Sequence, residues 1–152
     1  MIALLQRVSE ASVSVAGERI AAIGTGILAL IAVERGDGAA EVSRMAERLL
    51  GFRLFPDQRG RMNLDLGAVG GGLLLVPQFT LAADTGSGNR PGFSGLAPPD
   101  EGRRRFDELA AELRRRGQDV EVGRFGAAMQ VALINDGPVT FQLCVKGNAR
   151  PS

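Results

Sequence analysis

Two uninterrupted apolar runs constrain this chain more than any other feature. Ile27–Val33 contains no polar residue, and Leu73–Leu81 is nearly as apolar. Runs this short cannot span a bilayer as helices. Each is bounded by glycine: Gly24-Thr25-Gly26 and Gly36-Asp37-Gly38 around the first, Gly70-Gly71-Gly72 before the second. That pattern suits a strand buried on both faces, so both sides of the sheet must be covered.

The covers can be found in the same way. Val42, Met45, Ala46, Leu49 and Leu50 recur at helical spacing, which predicts a helix over 39–50 with its cap at or just after Asp37 and Gly51 as its stop. Pro98-Pro99-Asp100-Glu101 starts a second helix, with Phe106, Leu109, Ala110 and Leu113 as its buried stripe and Arg114-Arg115-Arg116-Gly117 as its close. The remaining segments read as strands. Residues 2–15 form a long strand that turns at Ala16-Gly17-Glu18 into a strand near Arg19–Ile23. Phe52–Phe55, Met62–Leu66, Gln118–Val122, Met129–Ile134 and Val139–Val145 follow. The expected architecture is α+β. One domain over 1–152 holds a mostly antiparallel sheet, barrel-like or in two sheets, with two main helices packed on it. Residues 146–152 are expected to be a loose tail.

Composition limits the chemistry. The 152 residues include no His and one Cys, Cys144. A Ser-His-Asp triad, a Cys-His pair and a thiolate metal cage are excluded. The expectation is no metal and no cofactor. Formal net charge is +1, with Lys146 the single lysine. The absence of a leader pattern after Met1–Leu5, and the lone cysteine, point to the cytoplasm and away from a membrane. The clusters Arg103–Arg105 and Arg114–Arg116 lie on the same sides of the second helix. They either track phosphates or form a solvated face, with Glu112 and Arg116 paired and Arg104 in reach of Asp107 and Glu108.

Three places stand out as candidate sites. The Gly- and Pro-rich stretch 83–99 is a long loop. Leu73–Val76 runs into Pro77-Gln78-Phe79-Thr80, where proline cannot donate to a ladder. The N–H groups of Gln78, Phe79 and Thr80 are therefore expected to face a cavity, as an oxyanion hole requires. Asn135-Asp136-Gly137-Pro138 lies between two apolar strands and reads locally as a hairpin turn.

Taken together, these residues resemble the D-aminoacyl-tRNA deacylase (D-tyrosyl-tRNA deacylase) family over about 1–145. The resemblance is carried by the opening Met1–Val8, Met62-Asn63-Leu64, Gln78–Thr85, Arg90-Pro91, Gly123-Arg124-Phe125, Met129-Gln130-Val131 and, most specifically, Asn135–Thr140. It implies a hydrolase of the ester between a D-amino acid, or glycine mischarged onto tRNA-Ala, and the 3′-terminal adenosine of tRNA. It implies a homodimer with its active sites at the interface. A Gly–Pro pair with a cis bond, here Gly137-Pro138, would enter the partner's site and exclude L side chains. Arg7 would help hold that loop. Gln78, Phe79 and Thr80 would form the carbonyl-binding end, and Phe125 and Met129 would lie near the adenosine. The family usually has Ser where this chain has Pro77, so no hydroxyl there can orient a water. Left open are a non-catalytic tRNA-binding relative and a sister deacylase with looser chirality.

Overall fold

The computed structural model describes residues 1–147. The end of the expected tail, residues 148–152, lies outside the described residues. In chain order the strands are β1 (Ile2–Val15), β2 (Glu18–Ile23), β3 (Gly26–Ala32), β4 (Phe55–Pro56), β5 (Met62–Leu64), β6 (Gly72–Pro77), β7 (Val120–Val122) and β8 (Gln130–Cys144). The helices are α1 (Ala39–Gly51), the short α2 (Leu66–Val69) and α3 (Pro99–Arg115). A 3₁₀ turn, Phe79–Ala82, follows β6.

β1 organises the sheet. Its first half, Ile2–Val8, pairs antiparallel with β3, and its second half, Ala11–Val15, pairs antiparallel with β2. Its other edge carries β8 along almost its whole length. The sheet then continues β3-β6-β7 and curls into a nearly closed barrel-like form. The antiparallel expectation holds for the pairs made by β1. However, β3–β6 and β6–β7 are parallel. These are the most apolar strands, as a parallel sheet covered on both faces demands.

Alternation along those strands divides the interior into two cores. Ile27, Ala29, Ile31, Leu73 and Leu75 face the helices. Leu28, Leu74 and Val76 face the barrel interior with Val8, Ala11, Val13 and Ala21. The α1 stripe of Val42, Met45, Ala46 and Leu49 and the α3 stripe of Phe106, Leu109, Ala110 and Leu113 close the first core. Each fully buried leucine contributes about 1.5–3 kcal/mol. Where β3 and β6 begin, Gly26 and Gly72 are in register, and a Cβ on Gly26 would lie 1.9 Å from the Gly72 carbonyl oxygen. Only glycine permits that approach. Met1 is fully buried, and its ammonium donates to Glu34 Oε2 (2.9 Å), Asp37 and the Val145 carbonyl (2.7 Å), tying the ends of β1 and β8 to the turn before α1.

Several local expectations change. The N-cap of α1 does fall just after Asp37, at Gly38, and Glu41 accepts from its N–H at 2.7 Å. Asp37 is occupied by Met1, and burial raises its pKa. Gly51 is the last helical residue, and the C-cap is Phe52 with an extended backbone, so no left-handed glycine ends α1. Phe52–Phe55 contributes only the edge of a two-residue strand, and Leu66 begins a helical turn capped by the Asp65 carboxylate. The largest correction is at Asn135–Pro138. This is not a hairpin: β8 passes straight through it as one 15-residue strand, and the register with β1 slips between Gln6, Val8 and Glu10. The unbroken partner strand β1 holds both halves of β8 in line, so the extra residues bulge outward instead of reversing the chain.

Candidate active site

A cavity of about 740 Å³ opens where β3 and β6 end, within the usual range for small-ligand sites. Ile31 and Val33 form one wall, and Val76, Pro77, Gln78 and Phe79 the next. The start of α3 and the segment Phe125–Met129 complete it. The lining is mostly apolar because it is where the inner faces of the parallel strands run out.

Pro77 shapes this end without bending it. The β3–β6 register runs in step to Ile31 opposite Pro77. Alternate residues of a parallel strand donate to opposite neighbours, and the following N–H, on Gln78, still donates to the Ile31 carbonyl at 2.7 Å. The Gln78 N–H is therefore spent on the ladder, which corrects the expectation that it faces the cavity. After it the chain tightens into the 3₁₀ turn. The N–H groups of Phe79 and Thr80 have no hydrogen-bond acceptor among the described residues. Both residues are exposed. The Gln78 side-chain amide donates to the Thr80 hydroxyl. No carboxylate hydrogen-bonds that hydroxyl among the described residues.

The opposite wall is aromatic. Phe125 packs against Phe106 of α3, with ring centroids 6.5 Å apart. Gly102 makes room for it: a Cβ there would be 3.3 Å from Phe125 Cζ. Met129 turns back so that its sulfur accepts the Arg124 N–H at 3.4 Å. At the mouth, Phe79 and Phe93 are 58% and 40% exposed, with rings 5.5 Å apart. Two exposed phenylalanines in contact are unusual on a protein surface unless something else covers them.

Gln78, Phe79, Phe125 and Met129 thus meet in one cavity, with Thr80 just outside its lining. Gly137, Pro138 and Arg7 do not. Gly137 lies six positions along β8 from Val131, the nearest β8 residue of the lining, about 20 Å measured along the strand. There the Gly137–Pro138 peptide is cis. The bulge is held by its own network. Asn135 Nδ2 donates to the carbonyls of Arg7 and Val139, both at 2.9 Å, and Asn135 Oδ1 accepts the Val139 N–H at 3.2 Å. Arg7 Nε donates to the Asp136 carbonyl and Arg7 Nη1 to that of Leu54, both at 2.8 Å. A Cβ at Gly137 would lie 2.0 Å from the Val139 nitrogen. Gly137 and Pro138 are exposed and do not line their own chain's cavity.

Sequence reasoning missed Ile31, Val33, Phe93 and Gly102 as site residues. Phe93 had a signal: it is a large apolar residue inside a polar, glycine-rich loop. Ile31 and Val33 had none, because a strand's cavity-facing end has the same composition as its core.

Comparison with known proteins identifies the family. The family model described as D-Tyr-tRNA(Tyr) deacylase matches residues 4–144. A protein named D-aminoacyl-tRNA deacylase from Methylococcus capsulatus is 64% identical over 143 residues, 94% of each chain. One of the same name from Nitrosococcus oceani is 57% identical, covering 94% of this chain and 92% of its own. A solved structure described as c-Myc DNA unwinding element binding protein superposes with a TM-score of 0.91 at 36% identity, covering 97% of this chain and all of that one. Another, described as a probable eukaryotic D-amino acid tRNA deacylase, shares the fold with a TM-score of 0.80 at 17% identity, over 93% and 97% of the two chains. The chain belongs to the D-Tyr-tRNA(Tyr) deacylase family, whose similar curated members are named D-aminoacyl-tRNA deacylases, and is a hydrolase of carboxylic ester bonds.

Proposed function

We propose that this chain, acting as one deacylase domain in the cytoplasm, hydrolyses the ester that joins a D-amino acid, or glycine mischarged onto tRNA-Ala, to the 3′-terminal adenosine of tRNA. The observation that carries the reading is the pair of unpartnered N–H groups on Phe79 and Thr80 beside an apolar cavity of nucleoside size. Two fixed donors on one turn match the charge that develops on an ester oxygen during hydrolysis. The adenosine occupies the cavity between Phe125 and Met129. Water adds to the ester carbonyl carbon, and the carbon–O3′ bond then breaks. The tRNA leaves with its 3′-hydroxyl and the amino acid as its free acid.

The protein supplies no titrating base in this scheme. The chain contains no histidine, and the Thr80 hydroxyl is engaged by the Gln78 amide. The terminal ribose 2′-hydroxyl positions or activates the water.

Chirality is read by exclusion. Gly137 and Pro138 are exposed and are not among the residues that line their own chain's cavity, which supports a Gly137–Pro138 loop that acts at the cavity of a second copy. The functional unit is a homodimer with its sites at the interface. The exposed Phe79–Phe93 pair supports a surface that is covered in the dimer or by substrate. There the Gly137–Pro138 backbone leaves no space for an L side chain, whereas a D side chain points away and glycine has none to exclude. Arg7 fixes the loop from below.

One assay on purified protein tests this: the rate of ester loss from D-aminoacyl-, L-aminoacyl- and glycyl-tRNA. The D and glycyl esters should be lost rapidly and the L ester spared. Rapid loss of the L ester would overturn chiral exclusion, and loss of none would overturn the hydrolysis itself.

A further inference from the structure

The cavity mouth carries two guanidinium groups that pair with no carboxylate among the described residues. Arg103, in the first turns of α3, places its Cζ 5.4 Å from the centroid of the Phe125 ring. One of its nitrogens lies 3.7 Å from where a Cβ on Gly126 would be. It is exposed. Arg105 pairs with Glu108 at 2.9 Å, and Arg115 and the following Arg116 share Glu112, whereas Arg104 is exposed and has no ion-pair partner among the described residues. Arg103 has no such partner among the described residues. The ring holds its guanidinium flat and leaves the N–H edges open to solvent.

Arg35 is the second. It follows β3 and lines the cavity itself. Its backbone N–H donates to the Gly95 carbonyl at 2.9 Å, and its Nε donates to the Ser94 carbonyl at 3.3 Å. Those bonds anchor the side chain to the loop that carries Phe93. Both terminal nitrogens remain unengaged among the described residues. Two immobilised, unpaired guanidiniums from different walls thus flank one opening. Their planar forks suit a phosphodiester better than a point charge would.

We propose that Arg103 and Arg35 bind the phosphodiester groups of the single-stranded RNA 3′ end as it leaves the cavity. This rests on the deacylase reading above, in which the terminal nucleoside fills the cavity. The strand's backbone must then pass through the mouth, where Arg103 and Arg35 hold its first phosphates. The chain's net charge of +1 makes such local contacts the main source of electrostatic affinity. The paired arginines at the far end of α3 take no part, so the helix grips RNA at one end only.

The test is steady-state deacylation of D-aminoacyl-tRNA by the full chain and by Arg103→Gln, Arg103→Lys and Arg35→Gln, at salt concentrations from about 50 to 300 mM. D-aminoacyl-adenosine, which has no phosphate, is run in parallel. Each Gln variant should raise KM for the tRNA about fivefold at low salt with little change in kcat. It should also flatten the slope of log KM against log salt by about 0.7, the value for one single-strand phosphate contact. Arg103→Lys should recover most of the slope. The variant-to-parent KM ratio should fall to near one on the phosphate-free ester. Unchanged KM and slope on tRNA would overturn the proposal. Equal losses on both esters would also overturn it, since Arg103 would then act through the position of Phe125. If the parent protein cleaves neither ester, the deacylase reading itself fails.

Discussion

Arg7 and Asp136 stand 129 positions apart and are joined by a 2.8 Å hydrogen bond from Arg7 Nε to the Asp136 carbonyl oxygen. The bond fixes the backbone one residue before Gly137, and Arg7 Nη1 holds the Leu54 carbonyl at the same distance. Charge-assisted bonds of this kind are each worth about 1.5–3 kcal/mol. Arg7→Ala is expected to lower kcat/KM on D-aminoacyl-tRNA by about ten- to a hundredfold. Arg7→Lys should restore little, because one ammonium cannot reproduce the fork. Kinetics alongside the unfolding midpoint would check this; full activity in the alanine variant would refute the anchoring role.

Gly137 admits no side chain in its present conformation, because a Cβ would meet the Val139 nitrogen at 2.0 Å. Gly137→Ala must shift the loop. A displacement of about 1 Å at a reacting centre costs about a hundredfold in rate, and a loss of that order is expected. The loop is exposed, so the melting temperature should move by no more than about 4 °C. An unchanged deacylation rate would remove Gly137 from the site.

Thr80→Ala keeps the backbone N–H proposed to stabilise the oxyanion and removes only a hydroxyl. Activity should stay within about tenfold of the parent, far short of the 10²–10³ typical of a lost oxyanion donor. A tRNA ending in 2′-deoxyadenosine should be inert. The opposite pair of results would make Thr80 the nucleophile.

With no histidine in the chain, no imidazole titrates near neutrality. The dependence of kcat on pH should lack the two-limbed bell of a protein acid–base pair between about pH 5.5 and 8.5. A two-limbed bell in that window, beyond the single limb that the ester's own α-amino group can contribute, would require a protein acid–base pair and would count against substrate-assisted hydrolysis.

Glu41 reports on folding rather than catalysis. Its carboxylate accepts the Gly38 N–H at 2.7 Å, and that bond holds its pKa below the ordinary 4.5. A carboxylate with a lowered folded-state pKa stabilises above its unfolded value and loses that contribution as pH falls. Glu41→Gln should therefore destabilise by about 0.5–1 kcal/mol at pH 7, with the gap closing below about pH 4. Urea titrations at the two pH values would show it. A gap that persists at pH 3 would mean the charge is irrelevant.

Much of the scaffold could be read directly. The stripes of α1 and α3 were legible because helical periodicity survives in sequence. The doubly buried β3 and β6 were legible because a strand covered on both faces must be apolar throughout. The end of β6 was legible only in part: Pro77 marked the place, but the run to Leu81 read as strand and the Gln78 N–H still joins the ladder. The Asn135–Pro138 segment was not legible. Its composition is that of a turn, and only pairing with all of β1 keeps it extended.

The site divides along the same line. Local chemistry determined which residues to suspect: a proline before Gln78-Phe79-Thr80 and a glycine–proline pair in β8. It also determined, through the missing histidine, which mechanisms to discard. Tertiary structure decided the rest. The ladder bond to Ile31 withdrew the Gln78 N–H and left those of Phe79 and Thr80 open. The course of β8 left Gly137 outside the lining of its own chain's cavity, and the packing of α3 set Arg103 on Phe125 at the mouth. Periodicity reports which face a residue presents. Which strand, ring or carbonyl meets that face depends on residues more than a hundred positions away, and no local pattern contains them.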